Sequence, residues 1–272
     1  VSFALDEVTL RATVTGAGPT VLLLHAGGER RGVWAPVADR MAGSGLRTVA
    51  FDLRGHGDSS GRATTLRTFA DDVAEMVARE PAPIVVAGAS LGGFAALAAL
   101  AEPATAARVA GLVLVDVVPY PDPAVVRPWL DENGLSDRYA ELVDDILDSG
   151  SDLLAAAATL DLPILLVRAG RSPVTDTDVA RLRAANPRVT IARVPAAGHL
   201  VARDAPADLA RILSAHATAW LREPGRDPNG LPGPVAPSTV PRLAGERDGD
   251  QPNQPDAGEQ RRDPRPPEPR RQ

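Results

Sequence analysis

The pentapeptide Gly88-Ala89-Ser90-Leu91-Gly92 constrains this chain more than any other stretch. It follows the apolar run Ile84-Val85-Val86-Ala87 and precedes Phe94-Ala95-Ala96-Leu97-Ala98-Ala99-Leu100. The first run is short and β-branched and reads as a buried strand; the second is rich in Ala and Leu and reads as a buried helix. Small residues on both sides of the serine let the chain turn from one to the other in a few residues. A strand buried on both faces that feeds a buried helix belongs in a parallel sheet covered by helices. Such a turn lifts the serine at its apex above the sheet edge.

The rest of residues 1–222 keeps that rhythm. Val8–Val14 alternates and reads as an early strand, and Thr20–His25 is a continuous apolar run of the kind found in central parallel strands. Arg47–Asp52, Val109–Asp116, Leu162–Arg168 and Val189–Val194 read as further strands. Helices are expected over Trp34–Met41, over Thr68–Arg79 with Phe69, Val73, Met76 and Val77 on one face, and over Ala207–Leu221. Residues 119–161 break the alternation with three helix-like segments near 123–130, 136–147 and 152–160. An insertion between two strands sits above the strand ends, so a short helical lid is expected there. Residues 223–272 hold 12 of the 26 prolines and almost no aliphatic clusters. That stretch cannot bury enough apolar surface to fold alone and is expected to be a disordered, solvated tail.

Composition narrows the chemistry. The net charge of −6 argues against a nucleic-acid partner. With no cysteine, thiol catalysis, disulfides and Cys-ligated metals are excluded, and no metal or cofactor is expected. No apolar run reaches membrane-spanning length and no basic, apolar leader opens the sequence, so a soluble, cytoplasmic protein without a membrane partner is expected. Nothing in the sequence bears on oligomeric state.

Four segments together resemble the α/β-hydrolase family, over roughly residues 3–222. The first is Gly88–Gly92, a G-x-S-x-G between strand and helix, similar to the nucleophile elbow of that family. The second is His25-Ala26-Gly27-Gly28 after an apolar strand, which resembles the family's oxyanion-hole segment. Ala26 stands where the first glycine is usual. The third, Asp52-Leu53-Arg54-Gly55-His56-Gly57-Asp58-Ser59, looks like the family's D-x-R-G-x-G-x-S loop, which is usually structural. The fourth is Pro195-Ala196-Ala197-Gly198-His199, just before the last helix, where the family places its catalytic histidine.

The resemblance implies an α/β-hydrolase fold: a mostly parallel eight-stranded sheet with helices on both faces, residues 1–222 forming the domain and 119–161 its lid. It implies Ser90 as nucleophile and His199 as general base, since the family's order is serine, acid, histidine. The backbone N–H groups of Leu91 and Gly27, with Ala26 the second choice to Gly27, would form the oxyanion hole. Of the other histidines, His25 falls in the oxyanion segment, His56 in the glycine loop and His216 on the last helix.

The acid is open between two places. The family's usual position, after the strand Ile164–Val167, reads Ala169-Gly170-Arg171-Ser172-Pro173, with no carboxylate. Asp176 and Asp178 follow, where Thr175-x-x-Asp178 looks like a helix capping box. One strand earlier, Val113-Leu114-Val115 runs directly into Asp116, and a carboxylate ending an apolar strand is costly without a partner. Asp116 is therefore the expected acid.

These residues suit a serine hydrolase acting on a small, largely apolar ester, lactone or thioester. The same three side chains could serve C–C bond hydrolysis, perhydrolysis or cyanohydrin cleavage, and a non-catalytic ligand-binding member of the fold is the alternative of another class. Serine at the elbow argues against the branches that use a carboxylate nucleophile. Trp34, Phe94, Trp129 and Tyr139 are candidates for the pocket wall.

Overall fold

The apolar runs pair into one eight-stranded sheet, seen in a computed structural model that describes residues 1–4 and 8–222. The strands are β1 (Ser2–Ala4), β2 (Thr9–Thr15), β3 (Thr20–Leu24), β4 (Arg47–Asp52), β5 (Ile84–Ala89), β6 (Val109–Val115), β7 (Ile164–Arg171) and β8 (Val189–Gly198). Their order across the sheet is β1-β2-β4-β3-β5-β6-β7-β8. β1 and β2 run antiparallel to their neighbours and every other pair is parallel. The expected mostly parallel, eight-stranded α/β architecture is therefore the one observed. The expected tail, 223–272, lies outside the described residues.

Alternation along each strand divides the core. In β5, Ile84 and Val86 face one core while Val85 and Ala87 face the other. The first core receives α2 (Leu66–Arg79), α3 (Leu91–Leu100), α6 (Ala140–Asp148), α7 (Gly150–Thr159) and α8 (Asp176–Ala185). The second receives α1 (Ala35–Ala42) and α10 (Pro206–Arg222), with Trp34, Met41 and Trp220 filling it. Short helices α4 (Pro103–Ala106) and α9 (Val201–Asp204) lie between longer elements. Among the described residues no helix is long and apolar enough to cross a membrane.

Residues 119–161 contribute α5 (Pro123–Glu132), α6 and α7. They differ in burial. α7 places Leu153 and Ala157 in the first core, whereas α5 has no buried residue. The helix expected from Ser136 begins only at Ala140. Gly134, at φ +66, ends α5 with Leu135 N–H returned to Leu130 O (3.0 Å), and a turn then carries the chain to Tyr139. β7 and β8 also outrun their apolar stretches. They pair with each other as far as Arg171 and Gly198, across an irregularity between Ala169 and Arg171. Pro195 is tolerated because β8 is an edge strand, where a missing N–H breaks no central ladder.

The sheet positions the site through one close contact. A side chain on Gly92 would lie 2.5 Å from Leu24 O of β3, and one on Gly88 would strike the Gly92–Gly93 backbone. α3 can therefore start directly against the sheet only with glycine at both places. Gly92→Ala is expected to lower the unfolding free energy by about 1–3 kcal/mol, the usual cost of overpacking. Urea denaturation checks this; an unchanged midpoint would mean that α3 does not seat on β3 as described.

Candidate active site

Ser90 follows β5 directly and takes φ 47, ψ −113, a region L-residues rarely occupy. Neighbouring backbone holds it there. Its N–H donates to Val115 O of β6 (3.3 Å), and its own carbonyl accepts from the Gly93 and Phe94 N–H groups at 2.9 and 3.1 Å. Gly92 N–H donates to His25 O at the end of β3 (3.2 Å). A strained conformation fixed from two flanking strands is the kind of over-determination found at functional sites.

Leu91 opens α3, so its amide is one of the unfilled donors at a helix N-terminus. Gly27 lies beside it: a Cβ built on Gly27 would be 3.9 Å from Leu91 Cβ. Neither the Leu91 nor the Gly27 N–H has an acceptor among the described residues.

Asp116 and His199 meet from different strand ends. Asp116, just beyond β6, is fully buried and has φ +52. Its N–H donates to Val167 O (2.7 Å), which anchors the residue to β7. Its Oδ1 accepts from Ala169 N–H (2.8 Å). Its Oδ2 accepts from the Ser172 hydroxyl (2.8 Å) and lies 2.9 Å from His199 Nδ1. A carboxylate can only accept, so Nδ1 carries the proton and Nε2 is left with a free lone pair. His199 follows β8 and is itself only 9% exposed, with the Trp129 ring packed against it edge to face at 4.5 Å.

The alternative acids are occupied elsewhere. Asp176 is 88% exposed and paired with Arg168, which holds its carboxyl below the usual carboxylate range. Asp178 completes the expected capping box: it accepts from Thr175 N–H (2.9 Å) while its own N–H donates to Thr175 Oγ1 (3.1 Å).

The remaining histidines are also placed away from the serine. His25 Nε2 accepts from Leu53 N–H (3.0 Å) and its Nδ1–H donates to Ala26 O (2.8 Å), so it ties β3 to the loop after β4. Burial pushes its pKa down to about 4. His56 donates from Nδ1 to Arg54 O (2.9 Å) and stacks on Tyr139, and burial lowers its pKa as well. His216 bonds to Ile212 O within α10. In the glycine loop, Asp52 accepts from the Arg31 and Asp58 amides (2.6 and 2.8 Å) and pairs with the Arg31 guanidinium, a structural arrangement.

Ser90, Leu91, Gly27, Asp116 and His199 all line one cavity of about 300 Å³. Its far wall is apolar. Val126, Trp129 and Leu130 present one face of α5, and Leu142, Val143 and Ile146 one face of α6. Phe94, Trp129 and Tyr139 line it as expected; Trp34 is packed in the core beneath the opposite sheet face. Three residues that the sequence did not mark belong to this site. Glu29 and Arg203 form an ion pair in the cavity wall (2.8 Å), where burial raises the Glu29 pKa against the pull of Arg203. Ser172, set aside as unable to act as the acid, bonds to Asp116. No motif marks these residues; only the adjacent ends of β6 and β7 bring Ser172 to Asp116.

A model of the alpha/beta hydrolase family matches residues 21–212. A pimeloyl-[acyl-carrier protein] methyl ester esterase of Stenotrophomonas maltophilia is 38% identical over 106 residues, covering 39% of each chain. Protein phosphatase methylesterase 1 of Bos taurus is 36% identical over 119 residues, covering 40% of this chain and 31% of the relative. The chain thus matches 30 to 40% of the length of these curated relatives. Among solved structures, a thermophilic esterase from Thermogutta terrifontis superimposes with a TM-score of 0.66 at 22% identity, covering 81% of this chain and 97% of that one. The thioesterase domain from the curacin biosynthetic pathway gives 0.63 at 20% identity, covering 78% and 97%.

The buried His25 makes the domain acid-sensitive. Its folded pKa of about 4 lies below the ordinary 6.5, so the unfolded chain takes up the proton first. Its stabilising contribution is complete above pH 6.5 and is lost as pH falls from there toward 4. Between pH 7.5 and pH 5 it accounts for a loss of about 2 kcal/mol. In NMR titrations the His25 ring resonance is expected to stay at its neutral position down to pH 5; a midpoint near 6.5 would contradict the buried, doubly bonded placement.

Proposed function

Because the chain belongs to the alpha/beta hydrolase family, we propose that it is a serine hydrolase that cleaves a small, largely apolar ester, lactone or thioester through an acyl-enzyme. The observation that carries this reading is the 2.9 Å contact between Asp116 Oδ2 and His199 Nδ1 in the cavity that Ser90 also lines. The names of the relatives, methyl ester esterases and a thioesterase domain, support ester or thioester chemistry.

The steps follow from the side chains. His199 Nε2 takes the Ser90 proton as Oγ attacks the substrate carbonyl carbon. Asp116 keeps the imidazole in the Nδ1–H tautomer and stabilises the imidazolium. The Leu91 and Gly27 amides meet the oxyanion, where each donor is worth roughly 3–4 kcal/mol. His199 then protonates the leaving alcohol or thiol. Water, activated by the same histidine, attacks the acyl carbon and frees the acid, restoring Ser90.

Of the expected lid, residues 119–161, α5 and α6 are assigned the role of holding the acyl group and excluding bulk water, supported by their apolar faces on the cavity, while α7 packs in the core. α5, with no buried residue, is the part that moves aside to admit substrate. An apolar pocket of about 300 Å³ favours short and medium acyl chains.

Ser90→Ala is expected to abolish hydrolysis of p-nitrophenyl butyrate with folding intact; undiminished turnover would falsify the nucleophile assignment. Asp116→Asn is expected to reduce kcat by roughly ten-thousandfold, as loss of tautomer control does. Asp178→Asn should instead cost about 1 kcal/mol of stability as a weakened cap and Asp176→Asn even less, both with turnover retained. The reverse pattern would move the acid to α8. On a p-nitrophenyl ester series, kcat/KM should peak at short to medium chains; a monotonic rise to long chains would contradict the closed pocket.

A further inference from the structure

We infer that Ser172 is a positioning residue for the Asp116–His199 pair, so that the loop after β7 contributes to the reaction through a hydroxyl rather than a carboxylate. The inference rests on the serine-hydrolase reading above and adds to it a residue with no role in the direct chemistry.

Asp116 sits at φ +52 with its carboxylate fully buried, and three donors define its orientation. Ala169 N–H holds Oδ1. Oδ2 is shared by His199 Nδ1–H at 2.9 Å and Ser172 Oγ–H at 2.8 Å. The Ser172 oxygen is itself fixed, since it accepts from Val174 N–H at 2.9 Å. Its proton is donated to Asp116 Oδ2. Pro173 and Val174, which follow, line the cavity. The hydroxyl thus joins the substrate wall to the acid.

Two consequences follow. The hydroxyl turns the carboxylate plane so that Oδ2 faces the imidazole, and it takes a share of the negative charge that His199 would otherwise receive alone. Removing it loosens the orientation and leaves His199 as the only donor to Oδ2, which favours the imidazolium. Glu29, which interacts electrostatically with His199, and its partner Arg203 lie on the imidazole side, the Asp204 carboxylate and Arg171 guanidinium lie against the neighbouring Gly198, and all four are unchanged in the variants below.

The test compares the full chain with Ser172→Ala and Ser172→Thr, using p-nitrophenyl butyrate from pH 5 to pH 9. Ser172→Ala should lower kcat about tenfold, far less than the roughly ten-thousandfold expected for Asp116→Asn, with KM within about twofold. The acidic limb of its kcat/KM profile should move up by about half a pH unit. Ser172→Thr, which keeps the hydroxyl, should restore both. A second readout needs no turnover. The His199 Nδ1–H proton, assigned by its disappearance in Asp116→Asn, should move downfield in Ser172→Ala and return in Ser172→Thr. An unshifted pH limb and an unshifted resonance in Ser172→Ala would overturn the inference, as would a kcat loss that Ser172→Thr fails to restore. Failure of the serine-hydrolase reading itself looks different: Ser90→Ala and Asp116→Asn would then leave turnover intact.

Discussion

The site depends on how closely α3 approaches the sheet at Gly88 and Gly92. Both glycines face atoms fixed by the backbone: Gly92 meets Leu24 O and Cβ, and Gly88 meets the Gly92–Gly93 backbone. Rigid backbone cannot move aside as a side-chain tip can. At that contact Ser90 takes φ 47 between β5 and α3, and the Leu91 amide, first in the helix, has no intrahelical acceptor. The contact also brings α3 beside the segment after β3, so that Gly27 and Leu91 become neighbours. Serine presentation and the pair of free amides have one mechanical cause.

A second constraint is electrostatic. Asp116 is a buried carboxylate beyond the end of an apolar strand, and such a group is tolerated only when its oxygens are bonded. Ala169, Ser172 and His199 provide those bonds. They come from the ends of β7 and β8, the two strands that extend past their apolar runs. The longer strands are therefore tied to Asp116: their late pairing, Arg171 with Gly198, brings Ser172 and His199 to the same carboxylate.

Much of this was legible in the sequence because it is written in local chemistry. Ser90 was marked by small residues between two apolar runs, and the cap on α8 by Thr175 and Asp178 at the right spacing. Asp116 was marked by a charge ending the run Val113–Val115. What stayed illegible depends on tertiary contact. Ser172 looks like any loop serine until β7 is laid beside β6. Glu29 becomes a cavity residue only when Arg203, far along the chain, reaches it. The extension of β8 through Pro195 was hidden because proline argues against a strand unless the strand is known to lie at an edge. Trp34 read as a pocket candidate; its burial on the far face of the sheet is a matter of packing that the sequence does not mark.

The central claim, that Ser90 is activated by the His199–Asp116 pair, is tested most directly by a fluorophosphonate probe followed by peptide mass spectrometry on the full chain and on His199→Ala. The account predicts a single adduct, on the peptide containing Ser90, formed rapidly in the native chain and slowed by orders of magnitude in the variant. An adduct on another serine, equal labelling of both proteins, or no labelling of the folded native chain would contradict it.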